Sequence, residues 1–356
     1  MPLSEAIDFE TEGDEGMRKN GLLIIAGLLM VFILSACGAK SQDSVRKELT
    51  NKLEDLSGYK VHAEMTLAMG STPQVYDVEI WHKDPSYYRV KLKNAKKEQS
   101  QMILRNDDGV FVLTPALNKS FRFQSDWPKN SSQAYLYESL IKDIVADKEA
   151  KFSSTKEYYV FETKTRYQNN QVLPVQEIKL NKGDLSPAQV KVMDADRNTI
   201  VSVKFSKVKF NAKFETDDFE TKKNMTRAEI GSPVMADADK KDPSFTVKYP
   251  SAVTKGTSLL KEKEIAIEDG KRVVLTYGGE KTFTLIQEKR VVETVSASYP
   301  ADVNGEPVDL GFTIGALTDH SITWNQDGVD YMIASKDLTK DEMVSLARSV
   351  QGDLVK

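Results

Sequence analysis

The fold is decided by residues 59–69, which read Tyr-Lys-Val-His-Ala-Glu-Met-Thr-Leu-Ala-Met. This stretch alternates between apolar and polar side chains, and an alternation with a period of two is typical of a β-strand buried on one face only. The stretch therefore predicts an antiparallel strand with one face on a core and the other in water. The apolar face consists of Val61, Ala63, Met65, Leu67 and Met69, and the polar face of His62, Glu64 and Thr66.

Short segments of the same kind follow, separated by turn residues such as Asp84-Pro85 and the run 106–109. In the last segment Val203 and Phe205 share one face, whereas Val208 and Phe210 share the other. A β-bulge produces such a change of phase, and bulges bend sheets. The pattern predicts a long, curved antiparallel sheet with strands at about 75–82, 87–92, 101–105, 109–114, 119–123, 158–163, 173–180, 188–193 and 199–210.

Two stretches show helical spacing. The first, 43–56, is followed by Gly58, a residue that commonly ends helices. The second, 132–146, has an apolar stripe wide enough to lie across the sheet on its concave side as a helical lid. That stripe contains Tyr135, Leu136, Leu140, Ile141, Ile144 and Val145.

Residues 17–37 have the organisation of a secretory signal: Arg18 and Lys19, an apolar run from 22 to 33, and then Leu34-Ser35-Ala36-Cys37. The tetrad resembles the lipobox of bacterial lipoproteins, in which the cysteine sulfur receives a diacylglycerol. The apolar run is shorter than the about 20 residues of a membrane-spanning helix, so a simple anchor helix fits less well. Residues 1–16 are acidic, and we interpret them as a spurious extension that precedes a true start at Met17.

Several kinds of chemistry are not expected. The net charge is −4 and Cys37 is the single cysteine, so neither a nucleic-acid surface nor a disulfide or thiolate metal site is predicted. The three histidines are scattered, and the run Asp194–Thr199 lacks the glycine and glutamate of a calcium loop. The sequence predicts no enzyme, no catalytic residue, no metal and no cofactor.

Beyond the first sheet, residues 221–242 show no stable period and are predicted to be a linker. Residues 243–356 then predict a smaller α+β domain, with strands near 244–248, 265–267, 271–277, 281–288, 312–317, 321–324 and 331–335. A helix from Thr339 to Val350 closes it. Thr339 and Glu342 have the spacing of a capping box.

Two motifs in residues 38–220 carry a family resemblance. Residues 79–90, Glu-Ile-Trp-His-Lys-Asp-Pro-Ser-Tyr-Tyr-Arg-Val, and the Asp-Gly hairpin at 106–115 resemble segments of the LolA-like lipoprotein-carrier superfamily, which includes periplasmic stress sensors and lipoproteins of spore formers. The hairpin departs from the family in ending on Leu113-Thr114-Pro115 instead of Tyr-Asp-Pro. The resemblance implies an α+β fold, an unclosed β-barrel whose helical lid covers an apolar cavity for acyl chains. Residues 322–347 resemble a C-terminal domain of exported proteins from Gram-positive spore formers.

The lipid-binding candidates that follow from the pattern and the resemblance lie on the apolar face and the lid. They are Met65, Leu67, Met69, Ile80, Tyr88, Leu136, Leu140 and Ile144, with Arg89 as a candidate at the rim. Two alternatives stay open. The sheet can be filled by its own helices, as in an ordinary core, and Arg89 can simply pair with a carboxylate.

Two functions are compatible with these observations. The first is a membrane-anchored, extracytoplasmic lipoprotein that binds lipid, or the acyl chains of other lipoproteins, in the half-barrel. The second is a regulator or sensor that binds a membrane protein in envelope stress, sporulation or germination and carries no lipid. In both, the diacylglyceryl group on Cys37 holds the chain on the outer side of the cell membrane.

Overall fold

The computed structural model describes residues 40–68, 73–95, 100–115, 119–129, 132–167, 172–225, 245–267, 270–290, 301–303, 305–310, 313–326 and 328–350. Cys37, Met69 and most of the predicted linker lie outside the described residues. Over the described part the chain is mostly antiparallel β-structure, arranged in two open sheets. The predicted fold class, a curved half-barrel with a helix on it and further α+β structure behind, is confirmed.

The helices are α1 Gln42–Glu54, α2 Tyr137–Ala146 and α3 Lys340–Ser349, and one further helical turn spans residues 221–225. The strands are β1 Gly58–Leu67, β2 Gln74–Lys83, β3 Tyr87–Asn94, β4 Ser100–Asn106, β5 Gly109–Thr114, β6 Lys119–Phe123, β7 Lys151–Ser154, β8 Tyr158–Lys164, β9 Val175–Asn181, β10 Pro187–Met193, β11 Thr199–Phe210, β12 Thr257–Ile267, β13 Gly270–Gly279, β14 Phe283–Arg290, β15 Ala301–Val303, β16 Glu306–Asp309, β17 Ile314–Leu317, β18 Ser321–Gln326 and β19 Val329–Ala334.

The first sheet has twelve strands in the order β15-β6-β5-β4-β3-β2-β1-β11-β10-β9-β8-β7. Strand β1 lies in its middle and has the predicted faces, since Val61, Met65 and Leu67 are buried while Glu64 is exposed. Gly58 starts β1 with φ +151, and a Cβ there would lie 2.4 Å from the carbonyl oxygen of His82. Glycine is therefore required where β1 begins and passes close to the backbone of β2.

The predicted bulge in β11 is confirmed. Lys60 of β1 lies opposite Lys209, but His62 lies opposite Ser206, so β11 contains one extra residue between these pairs. Lys207, inside that interval, has φ +49. This left-handed backbone moves the apolar positions from one face to the other, which is the phase change seen in the sequence.

The second sheet has seven strands in the order β12-β13-β14-β19-β18-β17-β16, with α3 on its core face. The capping box is confirmed: the backbone N–H of Glu342 donates to Thr339 Oγ1 (3.2 Å), and the N–H of Thr339 donates to Glu342 Oε2 (2.8 Å). Two strand predictions were wrong in extent. The strand expected at 265–267 begins at Thr257, and the described residues 245–248 form no regular strand.

One strand joins sequence-distant parts of the chain. Residues Ala301–Val303 form β15, which pairs in parallel with β6 and so extends the first sheet. Beside it Lys119 Nζ lies 3.0 Å from an Asp330 carboxylate oxygen, and Gln101 Oε1 accepts from the Ile314 N–H at 2.7 Å. The sequence did not predict this strand. The domain boundary at residues 221–242 stays a prediction.

Candidate functional site

The predicted lipid-binding residues that the structure describes lie on the buried face of the first sheet, on α2 or directly before it. Each exposes 5 % of its surface or less: Met65, Leu67, Ile80, Tyr88, Leu136, Leu140 and Ile144. These side chains contact other protein atoms and leave almost no free surface at which an acyl chain could lie. The apolar face of the sheet is therefore a filled core at these positions.

The segment that fills it is only partly helical. Helix α2 begins at Tyr137, and residues 132–136 before it are buried without regular structure. Side chains hold this stretch, because the backbone N–H of Gln133 donates to Ser139 Oγ at 2.8 Å. The predicted stripe was wrong at Val145, which is 42 % exposed near the C-terminal end of α2.

A buried carboxylate sits at one end of this core. Glu138, in the first turn of α2, accepts a hydrogen bond from the Tyr59 hydroxyl at 2.6 Å. His82 stacks on Tyr88 with ring centroids 4.4 Å apart. Burial, reinforced by the Glu138 carboxylate, raises the pKa of Tyr59 and of Tyr88 well above the ordinary phenol value. Both hydroxyls therefore stay protonated, and Tyr59 remains a donor to Glu138.

A second buried carboxylate fixes the other end of α2. Asp143 Oδ2 accepts from Ser132 Oγ at 2.8 Å and from Gln176 Nε2 of β9 at 2.6 Å, and Arg166 donates to Oδ1. The Asp143 side chain is fully buried. These bonds connect the helix to the preceding loop, to β9 and to the chain after β8. Separating α2 from the sheet would break the bonds to Gln176 and Arg166.

Arg89 lies on the opposite face of the sheet from Tyr88. Its guanidinium forms an ion pair with Glu79 at 2.8 Å and lies over the Trp81 ring at 4.1 Å from the centroid. Glu79 and Trp81 belong to β2, the neighbouring strand. Arg89 is thus paired with a carboxylate, which is the second of the two possibilities that the sequence left open.

That opposite face carries a second apolar cluster that the sequence analysis missed. It consists of Met102, Leu104, Phe111, Leu113 and Phe219, with Trp81, Tyr87, Phe214 and Met225 beside them. The segment after β11 crosses this face, so β4 and β5 are covered on both sides. The continuous apolar runs 102–104 and 110–113 were the available signal, because strands buried on both faces lose the alternation.

The described residues contain no group of three or more His, Cys, Asp or Glu side chains that could hold a metal ion. In the part of the chain that the structure describes, no helix combines the length and the apolar character needed to span a bilayer. The acidic run at 194–198 is a closed turn, in which Asp194 Oδ1 accepts from the Asn198 N–H at 2.8 Å. His62, His82 and His320 lie on β1, on β2 and before β18.

Comparison with known proteins gives the family. The model of the family described as sporulation protein YdcC-like matches residues 19–219. Sporulation protein YdcC of Bacillus subtilis (strain 168) is 55 % identical over 336 residues, which are 94 % of this chain and 98 % of the relative. The chain belongs to the YdcC-like family of sporulation proteins.

Solved structures with similar architecture are much more distant. The MucA/MucB complex of Pseudomonas aeruginosa is 14 % identical, with 85 % of this chain and 97 % of that chain covered and a TM-score of 0.32. The CwlD amidase–GerS lipoprotein complex of Clostridioides difficile (17 %, 50 % and 98 %, 0.29) and a LolA superfamily protein of Nitrosomonas europaea (12 %, 50 % and 98 %, 0.29) are also similar. The superfamily indicated by the sequence motifs is thus represented among these structures.

Proposed function

We propose that this chain is a non-catalytic, protein-binding lipoprotein of the sporulating cell envelope, held at the membrane through Cys37, and that it carries no lipid cargo. The observation that carries the proposal is that the apolar face of the first sheet leaves almost no free space at the predicted lipid-binding positions. Seven of the predicted lipid-binding side chains are buried there to 5 % exposure or less. A carrier of acyl chains needs this space, whereas a protein-binding module does not.

The polar contacts of α2 also support a protein-binding function over an acyl-chain carrier. A lid that opens for cargo must separate from the sheet, and here that separation would leave the buried Glu138 and Asp143 without their partners. Each lost bond to a buried charged group costs about 1–3 kcal/mol. Insertion of an acyl chain would have to offset this cost in addition to the lost packing.

Membership in a family of sporulation proteins supports the cellular setting. The signal-like stretch 17–37 supports the membrane tether. One acyl chain alone holds a protein only reversibly, but a diacylglyceryl group on Cys37 gives two and makes the anchor stable. Binding is then expected at one membrane, without transport between membranes.

Native mass spectrometry of the full chain, purified in mild detergent from membranes of a sporulating host, tests the proposal. The expected spectrum shows the protein with its covalent lipid on Cys37 and no further lipid that survives detergent removal. A stoichiometric, non-covalent lipid would contradict the proposal and restore the carrier hypothesis. Peptide mass analysis of the same sample checks the tether, since the first residue should be a lipid-modified Cys37.

A further inference from the structure

Among the described residues, the strand at one edge of the second sheet is paired on one side only. Strand β12 is eleven residues long and ends the strand order, with β13 as its one neighbour among the described strands. Seven consecutive residues of it, 258–264, are exposed. Long exposed edges offer free backbone N–H and C=O groups to another chain, and proteins commonly protect them.

Apolar surface is concentrated at one end of this edge. Leu259 and Leu260 are 39 % and 67 % exposed, and the only other large apolar residues of comparable exposure in the described chain are Val145 and Val172. Leu260 is a bulge residue between the pairs Leu259–Tyr277 and Lys261–Thr276. A Cβ on Gly278 would lie 2.6 Å from Leu260 Cδ1, so the glycine provides the space in which Leu260 lies across the neighbouring strand.

The charges along the edge are not equivalent. Glu262 accepts from the Tyr249 hydroxyl at 2.9 Å, and Glu264 forms an ion pair with Lys271 at 2.9 Å. The side chains of Lys261 and Lys263 form no hydrogen bond or ion pair with any described residue. They lie opposite Thr276 and Val274, on the sheet face away from the buried Val273 and Leu275. Two free lysines therefore point to the same side of the edge, two residues apart.

This arrangement disfavours pairing with a second copy. Two β12 strands related by a two-fold axis would place residues of the same face opposite each other. In the regular part of the strand, lysine would then face lysine and glutamate would face glutamate. Like charges directly opposite destabilise an antiparallel pair.

We propose that the β12 edge binds an extended segment of a partner protein that carries two carboxylates at alternate positions. The carboxylates would face Lys261 and Lys263, a neighbouring apolar side chain would cover Leu260, and the backbones would continue the sheet. This inference rests on the proposed protein-binding function and names the partner's chemistry. It commits to an acidic strand because the free charge on the edge is cationic.

The probe is a synthetic peptide, Thr-Val-Thr-Glu-Thr-Glu-Thr-Val-Thr-Val. It is compared with an otherwise identical peptide in which lysine replaces both glutamates. Titration of the full chain in mild detergent, followed by fluorescence anisotropy, should show that the glutamate peptide binds at least roughly tenfold more tightly at low salt. The difference should shrink at high salt, because surface charge pairs are screened.

Three variants make the test specific. Lys261→Glu/Lys263→Glu should reverse the preference toward the lysine peptide, and Leu260→Asp should weaken both peptides. Lys142→Glu/Lys148→Glu changes the net charge equally at exposed positions of another part of the chain, and should leave the preference unchanged. Thermal unfolding checks that each variant folds.

Equal binding of the two peptides, no binding of either, or self-association of the chain through β12 in sedimentation experiments would overturn the inference. These outcomes are separate from failure of the proposed function. If no lipid co-purifies and no acidic strand binds, the edge is wrong but the protein-binding function stands. If lipid co-purifies stoichiometrically, the function itself is wrong whatever the peptides do.

Discussion

Leucines and carboxylates are buried at helix α2 but exposed at the edge strand β12. Leu140 of α2 is fully buried between helix and sheet, whereas Leu260 of β12 is 67 % exposed. The carboxylates show the same difference in burial. Asp143 is fully buried and is hydrogen-bonded by three side chains, whereas Glu264 lies at the exposed edge. The residues that the sequence pattern favours for lipid binding are thus buried, and exposed apolar surface lies on β12.

The largest expected effect compares the two leucines. Leu140→Ala should lower the free energy of unfolding by about 2–5 kcal/mol, because it removes buried methyl groups and leaves a cavity. Leu260→Ala should change it by no more than about 0.5 kcal/mol, because the side chain is mostly in water already. Urea unfolding monitored by circular dichroism measures both. Similar losses at the two positions would contradict the contrast between core and edge.

The next comparison concerns carboxylates. Asp143→Asn keeps the size of the side chain but removes the charge that Arg166 and Gln176 face, and should cost about 1–3 kcal/mol. Glu149→Gln is the matched control, since both side chains of its ion pair with Lys164 are exposed and such a pair adds little stability. The same unfolding experiment applies. A negligible cost at Asp143 would mean that α2 is not held to β9 by this network.

The buried phenols predict a dependence on pH. Below about pH 10 a tyrosine is neutral in both folded and unfolded chains. Above it the unfolded chain ionises, while Tyr59 and Tyr88 keep their protons because their pKa values are raised. Stability should therefore fall as pH rises above about 10, by about 1.4 kcal/mol per pH unit for each such tyrosine.

The variant Tyr59→Phe/Tyr88→Phe lacks these two groups, so its stability should fall less steeply than that of the unmodified chain in alkaline solution. Lysines contribute equally to both proteins and cancel in the difference. Urea unfolding at several pH values between about 9 and 11 measures the two slopes. Parallel slopes would show that the hydroxyls are not buried against Glu138.

The smallest expected effect comes from comparing substitutions at the N-cap positions of α3 and α2. Helix α3 begins with a capping box, so Thr339→Ala should cost about 1 kcal/mol. Helix α2 has Leu136 at the same position and no side-chain cap, so its stability comes from packing. Leu136→Ala should therefore cost more than Thr339→Ala, by the difference between a core cavity and a cap. The reverse order would mean that α2 is not fixed by its buried face.

Much of this architecture follows from local sequence patterns. The alternation at 59–69, the phase change around Lys207 and the Thr339–Glu342 spacing predicted a strand, a bulge and a cap, because each depends on neighbouring residues. Strand β12 was predicted only at its end, since an exposed edge carries little apolar alternation. Strand β15 is three residues long and pairs with β6 across a long sequence separation, which a local pattern does not encode.

The sequence located the candidate site but could not predict whether it is an open cavity or a filled core. Periodicity placed Met65, Ile80 and Leu140 on facing surfaces, and the same pattern is produced by an open cavity and by a filled core. The difference depends on residues 132–136 and on the buried partners of Glu138 and Asp143. Those contacts join sequence positions far apart, so they became visible only in the folded chain.

Native-state hydrogen exchange of the α2 backbone tests the central claim, that α2 belongs to the core and is not a lid. The amides of Leu140, Ile141 and Ile144 should exchange with the same opening free energy as those of β1, and addition of phospholipid vesicles should not change it. Exchange of α2 at a much lower opening free energy than β1, or its acceleration by lipid, would show that the helix opens for cargo and would contradict this account.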